Sequence, residues 1–202
     1  MKPANPRYRA AAAAGEALRI FKTAERRAGG TFRVLLSGGR AMEPFLRALA
    51  RSRSFDWGRS RFYFVSDATA GPSPLPAYRL AKELFFSPAG VPDSSVVNIP
   101  PLRPRAAARL YSGQVAEAAR AGGFGLAVLD ASERLPCGLP GAAAVPGGAA
   151  LTLGSLSLCR EAVFLQEASA GKKNKAGRAA GPPEKALPGK APRRLKKTIL
   201  TF

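Results

Sequence analysis

The sequence predicts an α/β fold that is Rossmann-like, with a mainly parallel sheet and helices on both faces. Short apolar segments alternate along the chain with longer segments that have helical spacing. Glycine pairs or loops rich in proline and glycine separate the two kinds of segment. This repeated order is typical of βαβ units, whose crossovers are right-handed. A hydrophobic fraction of 46% in 202 residues is sufficient for a domain with a core.

The helices are predicted from apolar residues spaced three or four positions apart. We expect Gly29-Gly30 to end the first helix, Ser87-Pro88 the third and Gly122-Gly123 the fourth, because glycine and proline are poorly tolerated in helix interiors. The predicted helices cover residues 9–28, 42–50, 78–86 and 105–121.

The strands are predicted from short runs of apolar and β-branched residues between turn signals. Residues 125–129 read Gly-Leu-Ala-Val-Leu, which is typical of a buried central strand. In parallel sheets, ligands bind beyond the carboxyl ends of the strands, so the loops after Leu36, Val65 and Leu129 are where a site is expected. The predicted strands cover residues 32–36, 62–65, 96–98, 125–129, 150–153, 162–166 and 197–202.

Charge and composition limit the chemistry. The chain has 32 Lys and Arg against 13 Asp and Glu, a formal charge of +19, and no histidine. Ser-His and Cys-His dyads and histidine-ligated metals are therefore excluded. Residues 1–60 carry a net +9, residues 61–170 a net +1 and residues 171–202 a net +9. Two basic ends around a balanced middle favour an anionic partner.

The first predicted strand is followed by Ser37-Gly38-Gly39-Arg40. A Gly-Gly turn between a strand and a helix lets backbone N–H groups face an anion, and the helix dipole favours negative charge there. Arg40 would add a bidentate contact to a phosphate. The alternative is an ordinary glycine turn, and spacing alone leaves both open.

Several segments occur in an order that resembles one family. They include Leu-Ser-Gly-Gly after the first strand, Phe-Tyr-Phe-Val-Ser-Asp at the second, Tyr-Arg-Leu-Ala in the following helix, and the strand before Asp130. In these and in later segments the chain resembles the 6-phosphogluconolactonase family, within the glucosamine-6-phosphate isomerase/deaminase superfamily. The matching segments are 36–39, 62–67, 78–84, 91–100, 124–129, 151–153, 162–165, 171–175, 187–188 and 198–202.

The resemblance implies hydrolysis of 6-phospho-glucono-lactone to 6-phosphogluconate in the pentose phosphate pathway. Water would attack the ester carbonyl without help from a metal or cofactor. The phosphate of the substrate would lie on Ser37, Gly38, Gly39 and Arg40. The cationic partners implied for that phosphate are Arg79, Lys172 and Lys175.

The chain departs from the family pattern at the catalytic loop. The family reads Gly-x-Gly-x-Asp-Gly-His there, and its histidine is the implied general base. This chain has a shorter loop at 130–141 without histidine, and Ser66-Asp67-Ala68 stands where the family has Asp-Glu-Arg. Asp67 and Glu133 are the candidates to replace the base, and burial would raise a carboxyl pKa from its usual value of about 4 to make a better base. The alternatives are a helix cap for Asp67 and a solvated loop position for Glu133.

Two other functions stay open at this point. The first is a catalytically degenerate family member that binds anions or RNA, or takes part in an assembly. The second is sugar-phosphate isomerisation or deamination, which needs acid and base groups in the same loops. The altered loop at 130–141 is the sequence feature that separates the lactonase from the degenerate member, and it favours the degenerate member.

The domain prediction separates a body from a basic end. Residues 1–170 form the 6-phosphogluconolactonase-like domain, and the basic Gly/Pro/Lys-rich segment 171–202 ends in a last strand of the same domain. The segment is interpreted either as a nucleic-acid arm or as a solvated linker that brings a lysine to the phosphate. It has no aromatic residue before Phe202, so stacking on bases is not expected. No apolar run reaches the roughly 18 residues of a membrane span, and we expect a cytoplasmic protein.

Overall fold

The computed structural model describes residues 6–71, 73–167 and 195–201. Nine strands and five α-helices lie within them. The strands are β1 Phe32–Leu36, β2 Ser60–Phe64, β3 Ser66–Ala68, β4 Val96–Val97, β5 Phe124–Asp130, β6 Ala142–Val145, β7 Gly148–Leu151, β8 Cys159–Gln166 and β9 Lys196–Thr201. The helices are α1 Pro6–Arg27, α2 Glu43–Arg51, α3 Pro76–Ala81, α4 Ser87–Ala89 and α5 Pro104–Arg120.

Six of the strands form a parallel sheet in the order β4-β2-β1-β5-β8-β9. Strands β1 and β5 lie in the middle and pair directly, with Val34 opposite Leu126 and Leu36 opposite Val128. The chain runs outward through β2 and β4 and then returns through α5 to β5. Right-handed crossovers in the two directions place helices on opposite faces of the sheet. The predicted fold class is therefore confirmed.

The core on one face is built largely from aromatic rings. Phe21 of α1 meets Phe32 of β1 edge to face, with 5.1 Å between ring centroids. Phe62 of β2 meets Phe85 in the same manner at 5.3 Å. Tyr63 points to the other face, because side chains alternate along a strand. These rings fix the helices on the sheet and so fix the loops between them.

The third predicted helix differs from the structure at its end. A π-helical turn, Lys82–Phe86, joins α3 to α4, and the helical segment continues past Ser87-Pro88 to Ala89. Pro88 is tolerated because it lies in the first turn of α4, after the wide turn has changed the hydrogen-bond pattern. Gly90, with φ +66°, ends the segment in the left-handed conformation.

A small antiparallel sheet in the order β3-β7-β6 was not predicted. Strands β6 and β7 form a hairpin through Pro146-Gly147, and β7 also pairs with β3, where Asp67 lies opposite Ala149. Gly148 is required at this crossing, because a Cβ atom there would lie 2.1 Å from the carbonyl oxygen of Asp67. Strand β3 of the small sheet follows β2 directly along the chain. The small sheet forms one wall of the site described below.

Helices that cross a bilayer need about 20 consecutive, mostly apolar residues. In the described part of the chain, none is both long and apolar enough to cross a membrane.

Candidate functional site

A cleft of about 650 Å³ lies at the carboxyl ends of β1, β2 and β5. This is the position predicted from the sequence for a parallel sheet. The three loops that follow these strands meet there, together with the beginning of α3 and the hairpin between β6 and β7. The lining residues that carry charge are Arg40, Glu43, Asp67, Asp130, Glu133 and Arg134.

The loop after β1 is tied closely to its neighbours. The backbone N–H of Ser37 donates to the carbonyl of Val128 at 3.1 Å, and the Ser37 hydroxyl oxygen accepts from the N–H of Asp130 at 2.5 Å. Gly38 packs against α3 so tightly that a Cβ atom on it would lie 2.8 Å from the Cβ of Ala77. Ser37 and Gly38 therefore hold the ends of β1, β5 and α3 together.

The next glycine faces a carboxylate. Gly39 has φ +97°, and a Cβ atom built on it would lie 2.5 Å from Oδ2 of Asp130. The other oxygen of Asp130 accepts hydrogen bonds from the N–H of Ser132 at 2.8 Å and from its hydroxyl at 2.6 Å. A negative side chain thus lies against the Gly-Gly turn at which the sequence predicts the phosphate.

Asp67 is only 6% exposed and receives three backbone N–H groups. Its Oδ1 accepts from Ala68 and Ala77, and its Oδ2 from Tyr78, each at 3.0 Å. Ala77 and Tyr78 belong to the first turn of α3, so the carboxylate caps that helix. Burial raises the pKa of Asp67, and the three N–H bonds oppose that rise.

Glu133 is half-buried and has a different environment. The Ser66 hydroxyl donates to its Oε1 at 2.6 Å, and the other oxygen, Oε2, accepts no hydrogen bond from the described residues. Burial is the main cause that raises the pKa of Glu133 above the ordinary 4.5. The Ser66 hydrogen bond lowers it, while the charges of Asp130 and Asp67 raise it further. Glu133 thus lines the cleft as an oriented carboxyl group with a raised affinity for a proton, and its Oε2 has no partner among the described residues.

The predicted cationic residues do not all meet at this site. Arg40 lines the cleft. Arg79 does not line the cleft; it is exposed on α3, and its guanidinium donates to the hydroxyl of Ser73. Lys172 and Lys175 lie outside the described residues.

The lining has more negative than positive charge among the described residues. Four carboxylates and two guanidiniums line the cleft. The carboxylates are Glu43, Asp67, Asp130 and Glu133, and the guanidiniums are Arg40 and Arg134. For residues 6–71, 73–167 and 195–201, no group of three or more Cys, Asp or Glu side chains is arranged to hold a metal ion.

Three residues of the site were not singled out from the sequence. Ser66 orients Glu133, Asp130 lies against Gly39, and Arg134 lines the cleft. Asp130 and Arg134 stand in the loop that departs from the family pattern, and Ser66 in the altered triplet. Those departures were the available signal, but only the three-dimensional structure shows which side chains they bring together.

The fold and the site define an α/β protein with a cleft at the carboxyl ends of its parallel strands. The family model described as glucosamine-6-phosphate isomerases/6-phosphogluconolactonase matches residues 5–132. The chain belongs to this family. The match ends inside the loop after β5, one residue before Glu133.

Several solved structures have a fold similar to that of this chain. The 6-phosphogluconolactonase from Thermotoga maritima is 20% identical, with a TM-score of 0.62, and the alignment covers 77% of this chain and 80% of that one. The enzyme from Trypanosoma brucei is 14% identical, with a TM-score of 0.62 over 98% of this chain and 93% of that one. The enzyme from Plasmodium vivax is 10% identical, with a TM-score of 0.63 over 81% and 74%. A search of curated protein sequences finds no match.

Proposed function

We propose that the cleft hydrolyses a phosphorylated sugar lactone, 6-phospho-glucono-lactone, to the open-chain acid, with Glu133 as the general base. The observation that carries this proposal is the pair formed by Glu133 and Ser66, 2.6 Å apart at the end of β2. A carboxylate that is oriented, half-buried and raised in pKa is suited to take a proton from water near neutral pH. The family and its fold supply the class of substrate.

The binding part of the proposal uses the loop after β1. Backbone N–H groups of Gly38 and Gly39 would hold the substrate phosphate, and Arg40 would pair with it from the rim. Lys172 and Lys175 are kept as predicted further contacts to the phosphate. Arg79 is less suitable, since its side chain is exposed and does not line the cleft.

The reaction proceeds in two steps. Oε2 of Glu133 takes a proton from water while the water oxygen forms a bond to the lactone carbonyl carbon, and the carbonyl oxygen takes the negative charge. The bond from that carbon to the ring oxygen then breaks, and the proton held by Glu133 passes to the ring oxygen. Asp67 is not the base in this scheme and serves the cap of α3, because both of its oxygens already accept backbone N–H groups.

Hydrolysis by the purified protein against the spontaneous rate tests the proposal. We expect a rate above that background, and we expect Glu133→Gln to lower it by about 10²- to 10⁴-fold, the usual effect of removing a general base. Asp67→Asn is the matched control; it should lower the melting temperature while the folded fraction keeps most of its activity. A wild-type rate equal to the spontaneous rate, or a rate that Asp67→Asn abolishes and Glu133→Gln leaves unchanged, would contradict the proposal.

A second candidate function is ligand binding without turnover. The observation that favours it is the carboxylate of Asp130 against Gly39, with three further carboxylates in the lining. These charges repel a phosphate and would weaken a substrate site. Binding of 6-phosphogluconate by a protein that hydrolyses the lactone only at the spontaneous rate would support this candidate over the first.

A further inference from the structure

A second depression lies between α1 and α2, away from the centre of the cleft. Its volume is about 1720 Å³, and its floor contains small residues of α1, among them Ala11, Ala14 and Gly15. Because these side chains are small, a ligand can approach the backbone of α1 closely. Five cationic side chains line the depression, which is called the α1–α2 groove below. They are Lys22, Arg40, Arg47, Arg51 and Arg53.

The α1–α2 groove is positively charged as a whole. Two carboxylates, Glu43 and Glu167, line it with the five cations, which leaves a net +3. Only Arg47 approaches either one, with its guanidinium 4.0 Å from Glu43. Among the described residues, Arg51 and Arg53 have no carboxylate within salt-bridge distance. The groove therefore presents several guanidiniums that are free to bind an anion.

The surroundings argue against two other occupants. The exposed large apolar side chains of the described residues are Leu102, Leu110, Leu139 and Ile199, and none of them lines the groove, so it lacks the apolar anchor of a membrane-binding surface. The chain's own segment 168–194 carries eight basic residues and one acidic residue, and like charge disfavours its binding in the groove.

We propose that the α1–α2 groove binds the phosphate backbone of a nucleic-acid duplex without base specificity. Four of the five cations are arginines, whose planar guanidinium groups bind phosphate oxygens in pairs. Among the side chains that the structure describes, none that lines the groove is aromatic, so these residues offer no platform for stacking on the bases of a single strand. Contacts to phosphates fix the position of a duplex and carry no sequence information.

The test compares two variants of equal charge in the full-length chain. Arg47→Gln/Arg51→Gln/Arg53→Gln removes three cations from the groove, and Arg105→Gln/Arg109→Gln/Arg120→Gln removes three exposed cations from α5, which does not line it. Fluorescence anisotropy with a labelled RNA duplex, its DNA counterpart and one strand alone measures binding over a range of salt. Both variants keep Arg40, because this residue also lines the cleft. Lactone hydrolysis is measured separately, and its outcome tests the proposed lactonase function and not the binding of a duplex.

We expect the groove variant to bind both duplexes at least about tenfold more weakly than wild type near 0.1 M salt. The slope of log K against log salt should become shallower by about 2 to 3, since each lost phosphate contact removes about 0.9. The α5 variant should stay close to wild type. Equal losses in the two variants, or tighter binding of the single strand than of the duplex, would overturn the proposal. So would binding of anionic vesicles by a protein that does not bind the duplex.

Discussion

Asp67 and Glu133 show how two carboxyl groups in one cleft acquire different properties. Both are partly removed from water, and burial raises the pKa of both. Asp67 has three backbone N–H donors, which satisfy its two oxygens and tie it to α3. Glu133 has one hydroxyl donor and a second oxygen without a partner among the described residues. The first therefore serves the fold, and the second has an oxygen left for chemistry.

Asp130 allows a test at the scale of a single residue. Its carboxylate lies where the phosphate is proposed to bind, so Asp130→Asn should strengthen binding of 6-phosphogluconate. Removing one like charge near 4 Å is worth about 1 kcal/mol even in water, which corresponds to roughly fivefold or more in affinity. Asparagine also keeps an oxygen to accept from Ser132. Isothermal titration calorimetry at low salt measures the change.

The control for that substitution is Asp93→Asn, which removes the same charge from an exposed position that does not line the cleft. It should leave the affinity near that of wild type. An equal gain in both variants would mean that overall charge, and not the contact with Gly39, limits binding. An unchanged affinity for Asp130→Asn would show that the phosphate lies elsewhere.

At the scale of elements, the end of β2 is fixed by a side chain from α5. The hydroxyl of Tyr111, fully buried, donates to the carbonyl of Phe64 at 2.7 Å and accepts from its N–H at 2.8 Å. Burial raises the pKa of this phenol, so it stays neutral across the usual pH range. The bond holds the strand end directly before Ser66 and Asp67, and thus supports the site.

Tyr111→Phe should destabilise the protein by about 1 to 3 kcal/mol, because it leaves the two backbone groups of Phe64 buried and unpaired. Urea unfolding followed by circular dichroism measures the free energy of unfolding. Tyr78→Phe is the control, since the described residues make no hydrogen bond to its hydroxyl, and it should change stability by less than about 0.5 kcal/mol. A Tyr111→Phe variant as stable as the control would contradict this role for α5.

Some elements of the fold can be predicted from the sequence, and others cannot. Strands β1, β5 and β8 were predicted because they are short, apolar and bounded by turn signals. Strands β3 and β6 were not predicted, since the three residues of β3 are too few for a periodicity and β6 is alanine-rich, with Val145 as its one β-branched residue. The π turn was not predicted because its sequence pattern matches that of an ordinary helix.

At the scale of the whole molecule, charge is distributed between two surfaces. The cleft is lined by more carboxylates than guanidiniums, whereas the α1–α2 groove carries a net +3. The sequence predicted the location of the cleft and the loop Ser37–Arg40, because strand order and turn residues determine them. It did not predict the proximity of Asp130 to Gly39 or of Ser66 to Glu133, since these contacts join separate loops and depend on the packing of β1, β2 and β5.

The pH dependence of lactone hydrolysis tests the central claim that Glu133 acts as the base. After subtraction of the spontaneous rate, kcat/KM of the wild type should rise with pH through one limb, as the carboxyl group loses its proton, with a midpoint above the ordinary glutamate value of 4.5. The Glu133→Gln variant should lack this limb and be slower at every pH. A limb that persists unchanged in Glu133→Gln, or no rate above the spontaneous one at any pH, would contradict the account.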